Sequence, residues 1–241
     1  MNGVWRILSA LIVFCAALPA SAERLHITTE EYPPYNTRDS HGRPTGVYMD
    51  QLKIVFERTG IDYEAAVLPW ARALALAETE PMHCVVAAAR IPERENNFKW
   101  VSPIHIDRNV LVARRDAHLH VASLDEAKAY TVGTQRTDYT ETVLRSAGFS
   151  RIDLSADFDT SLMKLVAGRI DLMPMSESAL KKLPEDEFVE AIVLTHQSLG
   201  MACNRQVPDR LINTMQHALD AIIADGTQRN IYEKYGLIIH P

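Results

Sequence analysis

Apolar side chains recur at helical spacing in three segments of the chain. The first face comprises Met49, Leu52, Val55 and Phe56. Gly60 follows it as a predicted helix end, because glycine readily adopts the left-handed conformation that closes many helices. Two further faces end at Gly168 and Gly226: Leu162, Leu165 and Val166, and then Leu211, Met215, Leu219 and Ile222. Pro69 is predicted to begin another helix, which runs to Glu78.

Short apolar runs between these helices predict strands. They cover residues 25–27, 63–68, 84–89, 109–114, 131–134 and 170–173. Ser123 and Asp138 each begin a capping-box pattern, in which a small polar side chain caps a helix and an acid follows three residues later. Because strands alternate with helices, the pattern predicts an α/β fold with a largely parallel sheet and helices on both faces.

The first 22 residues have the pattern of a cleaved secretion signal. Arg6 precedes a mostly apolar run over residues 7–18, and Ala20-Ser-Ala22 is a small-x-small cleavage site. The run is shorter than the roughly 20 residues expected of a membrane-spanning helix. We therefore expect export, with a mature chain that begins at Glu23.

The charge balance is acidic. The chain carries 25 lysine and arginine residues against 31 aspartates and glutamates, and loss of Arg6 with the signal changes the net charge from −6 to −7. No nucleic-acid partner is expected, because binding to phosphate backbones requires clustered positive charge. The scattered histidines and cysteines have no metal-ligand spacing, so we expect neither a metal nor a cofactor.

Two cysteines remain after export, Cys84 and Cys203, and both lie in apolar, strand-like runs. An exported pair can form a disulfide. The alternative is a pair of buried thiols that serve as small apolar side chains. We expect the thiols, because the sequence alone does not bring the two Cα atoms within bonding range.

Four short segments, read in order, carry a family resemblance. They are Glu31-Tyr-Pro-Pro-Tyr35, Leu68-Pro-Trp-Ala-Arg72, Ala89-Arg-Ile-Pro-Glu-Arg94 and Phe98-Lys-Trp-Val-Ser-Pro103. Together, behind a secretion signal, they resemble the ligand-gripping segments of family 3 extracellular solute-binding proteins, the periplasmic receptors of polar amino-acid ABC transporters. The resemblance covers nearly all of the chain after residue 22.

This resemblance implies a two-lobed periplasmic-binding-protein fold of type II, with a mostly parallel sheet and flanking helices in each lobe. Residues 23–108 and 201–241 would form lobe 1, residues 109–200 would form lobe 2, and two crossing strands would join them. It also implies a periplasmic, monomeric protein that closes about a hinge on a small-molecule ligand and has an inner-membrane ABC permease as its partner.

In lobe 1 the resemblance assigns ligand contacts to Arg94, Tyr32 and Trp70. Arg94 matches the arginine that grips the ligand α-carboxylate, a task that suits a planar and permanently charged fork. Its alternative role is a surface arginine between Glu93 and Glu95. Tyr32 and Trp70 match positions above and below the ligand, where an aromatic ring offers an apolar wall and a cation–π face. Their alternative role is core packing.

Four further residues either bind the ligand or have a local structural role. Arg72 either adds positive charge to the cleft or pairs with a nearby acid such as Glu64. Thr137 and Asp138 match a helix start that faces the ligand, and Asp138 equally fits a cap of that helix. Ser176 replaces the aspartate that pairs with the ligand ammonium in amino-acid receptors. A substitute acid is expected among Glu30, Glu31, Asp138 and Glu177, unless the ligand is not an α-amino acid.

Three function classes follow. The expected one is a receptor that closes on a small carboxylate-bearing ligand, an amino acid or related compound, and delivers it to the permease. The second is a periplasmic enzyme of the cyclohexadienyl dehydratase type, whose general-acid glutamate would fall at Ala179, with Glu177 out of register; we therefore do not expect an enzyme. The third is a ligand-sensing partner of a membrane signalling protein.

Overall fold

The computed structural model describes residues 24–237. The strands are β1 (Leu25–Thr29), β2 (Thr37–Arg38), β3 (Pro44–Thr45), β4 (Tyr63–Val67), β5 (His83–Ala89), β6 (Lys99–Arg114), β7 (Val132–Gln135), β8 (Ile152–Ser155), β9 (Leu172–Ser176) and β10 (Phe188–Cys203). The helices are α1 (Val47–Thr59), α2 (Trp70–Thr79), α3 (Pro92–Glu95), α4 (Leu124–Ala127), α5 (Tyr139–Ser146), α6 (Phe158–Val166), α7 (Glu177–Leu180), α8 (Asp209–Ala224) and α9 (Thr227–Lys234). The predicted signal peptide, residues 1–22, lies outside the described residues.

The helix ends follow the local sequence signals. Gly60 closes α1 in the left-handed conformation, with φ 67°, and donates its N–H to the carbonyl of Phe56. Ser123 caps α4 by accepting a hydrogen bond from the N–H of Glu126. Asp138 caps α5, since its Oδ1 accepts from the N–H of Thr140 at 2.9 Å. The cap role of Asp138 is therefore confirmed, and a ligand contact from the same residue stays a prediction.

Eight strands form one continuous sheet in the order β4-β1-β5-β10-β6-β9-β7-β8. The strands β1, β4 and β5 pair in parallel on one side, and β7, β8 and β9 pair in parallel on the other. Between the two groups lies the antiparallel pair β6 and β10, which runs through both halves of the sheet. This arrangement confirms the expected two-lobed α/β fold with two crossing strands.

The crossing strands are longer than the sequence pattern predicted. A short run rich in valine and leucine indicated a strand at 109–114, whereas β6 is 16 residues long, and β10 has the same length. Burial changes along both strands as they pass from one lobe to the other, so neither keeps a single alternation. The predicted lobe boundaries at residues 108 and 200 fall inside these strands and stay a prediction.

Cys84 and Cys203 form a disulfide, so the expectation of two free thiols is wrong. The two residues face each other in register on the antiparallel neighbours β5 and β10, with 3.9 Å between their Cα atoms. The two cysteines are 119 residues apart in sequence, so the pattern of residues near each of them does not predict that β5 and β10 pair at this position. The bond fastens the lobe 1 end of β10 to the sheet.

Each lobe has its own apolar core on the sheet. In lobe 1, buried residues of α1 and α8, including Leu52, Val55, Met215 and Leu219, join one cluster with β1 and β5. In lobe 2, Leu165 of α6 and Leu144 of α5 belong to separate clusters with strand residues. Within residues 24–237, no helix combines the length and the apolar character that a membrane crossing requires.

Candidate functional site: the cleft between the lobes

A pocket lies between the lobes and takes its lining from both. It holds about 50 Å³ of free volume, enough for several water molecules at roughly 10–15 Å³ each. Clefts of this kind are preferred ligand sites. Three carboxylates contribute to the lining: Glu30, Asp107 and Asp138. Four aromatic side chains also contribute: Tyr32, Tyr48, Tyr139 and Phe158.

Glu30 directly follows β1 in lobe 1. Its Oε2 accepts a hydrogen bond from Nε2 of Gln135 in lobe 2, so the contact crosses the cleft. Burial, and then the negative charges of Asp138 and Asp157, raise the pKa of Glu30 to about 8. Glu30, one of the acids predicted to replace the missing aspartate, thus lines the pocket, and no lysine or arginine of the described part of the chain lines it.

Asp107 is a pocket residue that the sequence reasoning missed. It lies on β6 and is only 3 % exposed. Its Oδ2 accepts a long hydrogen bond of 3.4 Å from Asn109. Its Oδ1 lies 3.7 Å from His105 Nε2 and has no hydrogen-bond partner within residues 24–237. One signal was present in the sequence: Asp107 and Asn109 interrupt an apolar run just where β6 crosses between the lobes.

Asp138 and Thr137 form the start of α5 on the lobe 2 side. Burial raises the pKa of Asp138, while hydrogen bonds from Thr140 and the charge of Arg94 act in the opposite direction. Thr137 has φ 60°, a left-handed conformation that is unusual for a β-branched residue. That conformation explains why the resembling family usually has glycine at this position.

Arg94 and Trp70 of lobe 1 both bond to the backbone carbonyl of Thr137 in lobe 2. Arg94 Nη2 donates to it at 2.7 Å, and Trp70 Nε1 donates at 3.1 Å. The guanidinium carbon also lies 5.6 Å from the Trp70 ring centroid, within cation–π range. We call these three residues the clasp. Arg94 and Trp70 are 8 % and 2 % exposed, and both lie beside the pocket without lining it.

Tyr32 and Ser176 connect the lobes at a second place. The N–H of Ser176 donates to the Tyr32 hydroxyl at 2.8 Å, and the Ser176 hydroxyl lies 2.6 Å from that of Tyr35. The Tyr32 ring meets Phe158 edge-on, with centroids 4.8 Å apart, and lines the pocket. Ser176, which replaces the aspartate usual in amino-acid receptors, is buried and hydrogen-bonded to lobe 1. It does not belong to the pocket lining.

The remaining predicted positions lie away from the pocket. Arg72 is exposed on α2, and it does not pair with Glu64, whose carboxylate lies 2.7 Å from His26 Nδ1. Glu31 pairs with Arg38 at 3.1 Å, and Glu177 pairs with Lys181 at 2.8 Å. Of the four acids considered as substitutes for the missing aspartate, Glu30 and Asp138 therefore line the pocket.

The family model of the bacterial extracellular solute-binding proteins, family 3, matches residues 25–238. A search of curated proteins by sequence finds no match.

Several solved structures are similar. An ancestral arginine-binding protein bound to arginine has a TM-score of 0.76 and 21% identity, over 88% of this chain and 97% of that chain. A histidine kinase sensor domain with similarity to periplasmic binding proteins has a TM-score of 0.81 and 18% identity, over 90% and 98%. A putative ABC-transporter binding component from Wolinella succinogenes, complexed with lysine, has a TM-score of 0.75 and 19% identity, over 88% and 95%. At these identities the likeness shows a shared fold.

Proposed function

We propose that this chain, which belongs to the family 3 bacterial extracellular solute-binding proteins, is a periplasmic receptor that closes on a small ligand and delivers it to an inner-membrane ABC permease. The ligand is an amino acid or a related amine. One observation carries the proposal: the pocket is walled by both lobes, and Arg94 and Trp70 of one lobe bond to Thr137 of the other. A ligand that touches both walls stabilises the closed arrangement.

The family resemblance leads us to expect that Arg94 binds a carboxylate of the ligand. One donor is available for it, since Arg94 Nη1 is buried without a hydrogen-bond partner among the described residues. The other terminal nitrogen, Nη2, is already bonded to Thr137. The arginine therefore keeps one unpaired donor nitrogen while it holds the lobes together, although its side chain does not line the pocket.

The disulfide supports an exported protein, because such bonds form and persist in oxidising compartments such as the bacterial periplasm. N-terminal sequencing of the protein from a periplasmic extract is expected to begin at Glu23. An uncleaved chain retained in the membrane fraction would contradict this part of the proposal.

Binding without turnover is the role we propose, rather than dehydratase chemistry. Ala179, at the position of the general acid, is buried, and Glu177 is ion-paired with Lys181 and does not line the pocket. Incubation with prephenate or arogenate is expected to leave either compound unchanged. Formation of an aromatic product would favour the enzyme instead.

A thermal-shift screen of amino acids, amines, oligopeptides and small carboxylates tests the receptor role. A ligand at 100 times its Kd adds about 2.7 kcal/mol to the free energy of unfolding. For a chain of this size that corresponds to a rise in Tm of roughly 5–11 °C. Transport is then tested by uptake of the radiolabelled ligand, which should fall in cells that lack this gene. A panel without any stabilising compound would contradict the receptor role.

A further inference from the structure

Several buried polar atoms of the pocket lack hydrogen-bond partners among the described residues. They are Tyr48 Oη from lobe 1, Asp107 Oδ1 and Asn109 Oδ1 from the crossing strand β6, and Tyr139 Oη and Ser161 Oγ from lobe 2. All five residues are at most 7 % exposed. Buried polar groups are rarely left unpaired, so a cluster of them at one pocket indicates that a bound molecule supplies the partners.

The chemistry of these atoms restricts what that molecule offers. A carboxylate oxygen and an amide oxygen accept hydrogen bonds and do not donate them, while hydroxyl groups do either. The matching ligand is therefore rich in donors. A ligand carboxylate would place a further acceptor against Asp107 and Asn109, and it would leave their oxygens unpaired.

Charge leads to the same conclusion. Glu30, Asp107 and Asp138 contribute to the pocket, and no lysine or arginine is among the described residues that line it. Arg94 partly compensates Asp138 from outside the pocket, because its charge lowers the pKa of that carboxyl. Among the described residues no positive charge contributes to lowering the pKa of Glu30, which is raised to about 8. A cation in the pocket would supply the missing countercharge.

The walls also suit an organic cation. Tyr32, Tyr48, Tyr139 and Phe158 surround the pocket with aromatic rings, whose faces attract ammonium groups. The free volume is about 50 Å³ in this arrangement of the lobes, which favours small amines over bulky ones.

We infer that the receptor recognises compact organic amines through Asp107, Asn109 and Glu30, and that a carboxylate on the ligand is dispensable. This inference rests on the proposed function, which it deepens by naming the chemical group that determines binding. In this scheme the ligand ammonium donates to the oxygens of Asp107 and Asn109. Glu30, whose pKa of about 8 keeps it largely protonated near pH 7 without ligand, loses its proton beside the bound cation and so provides a second negative charge. Arg94 contributes by closing the lobes.

The test is isothermal titration of the disulfide-bonded mature protein with matched pairs of compounds. Each amino acid is compared with its decarboxylated amine: L-lysine with 1,5-diaminopentane, and L-ornithine with 1,4-diaminobutane. Pentanoate provides a carboxylate without an amine. We expect each diamine to bind at least as tightly as its amino acid, and pentanoate to show no binding.

Substitutions then locate the binding group. Asp107→Asn is expected to weaken 1,5-diaminopentane binding by at least about 30-fold, the lower range for removal of one partner from a buried charge pair. Glu30→Gln is expected to weaken it by at least about 10-fold, and it tests the charge without altering the crossing strand. Glu57→Gln, which removes an exposed acid on α1, is the matched control and should change the Kd less than 2-fold.

The outcomes separate this inference from the proposed function. If the amino acids bind more than 10-fold tighter than their diamines, or if the diamines do not bind, the inference is overturned while the receptor role stands. Unchanged diamine affinity in both Asp107→Asn and Glu30→Gln also overturns it. If amines, amino acids and pentanoate all fail to bind, both the inference and the receptor role are contradicted.

Discussion

Replacement of Arg94 by alanine should weaken ligand binding without unfolding the protein. In the structure its guanidinium donates a 2.7 Å hydrogen bond to the Thr137 carbonyl and lies 5.6 Å from the centre of the Trp70 ring. A hydrogen bond from a charged group contributes about 1.5–3 kcal/mol. If ligand binding depends on closure, the loss of this bond raises the Kd by roughly 10- to 150-fold.

Matched ligands reveal how Arg94 acts. If it serves only in the clasp, Arg94→Ala raises the Kd of L-lysine and of 1,5-diaminopentane by the same factor. If it also holds the ligand carboxylate, the effect on lysine is larger. Arg94→Lys should recover part of the affinity, because it keeps the charge but loses the planar fork. Calorimetric titration of the three proteins with both compounds gives these ratios.

Arg90 offers a matched control. It also lies over a tryptophan, 5.7 Å from the Trp100 ring centroid, but its side chain bonds to Glu95 within the same lobe. Arg90→Ala should therefore leave both affinities within about 2-fold of the wild type. Wild-type affinity in Arg94→Ala, or an equal loss in Arg90→Ala, would refute the role assigned to the clasp.

Three further predictions concern stability and closure. Because the pKa of Glu30 is raised, its protonated form stabilises the folded protein. That contribution is fully present below about pH 4.5 and is lost as the pH rises to about 8. Urea unfolding of the unliganded proteins should therefore show a free energy of unfolding that varies less with pH over this window in Glu30→Gln than in the wild type. Joint replacement of Cys84 and Cys203 by alanine should lower the free energy of unfolding by about 2–5 kcal/mol in urea titrations, and an equal free energy for reduced and oxidised wild type would contradict it. Trp70→Phe should remove most of the ligand-induced change in intrinsic fluorescence, whereas Trp100→Phe should keep it; the reverse result would place the closure contact elsewhere.

Much of the fold could be predicted because the determining signals are local. Gly60 and Asp138 mark a helix end and a helix start through interactions with residues two to four positions away. The disulfide and the full length of the crossing strands β6 and β10 depend instead on pairing between distant segments. No periodicity within a single segment encodes that Cys84 and Cys203 become neighbours.

Only part of the candidate site could be predicted, because local sequence does not show which residues from distant segments meet at the pocket. Tyr32, Glu30 and Asp138 line the pocket, whereas Arg94 and Trp70 bond across the lobes beside it. Asp107 and Asn109 were missed because a polar residue on a strand is ordinarily assigned to an exposed face. Only the crossing of β6 between two lobes makes that position an interior one.

Closure of the two lobes on the ligand can be measured by small-angle X-ray scattering of the mature protein, with and without a saturating ligand from the calorimetric panel. We expect the ligand to lower the radius of gyration of the wild type, and Arg94→Ala to require more ligand to reach the same compact state. An unchanged radius of gyration at saturation, in a sample where calorimetry shows full binding, would contradict closure of the two lobes on the ligand.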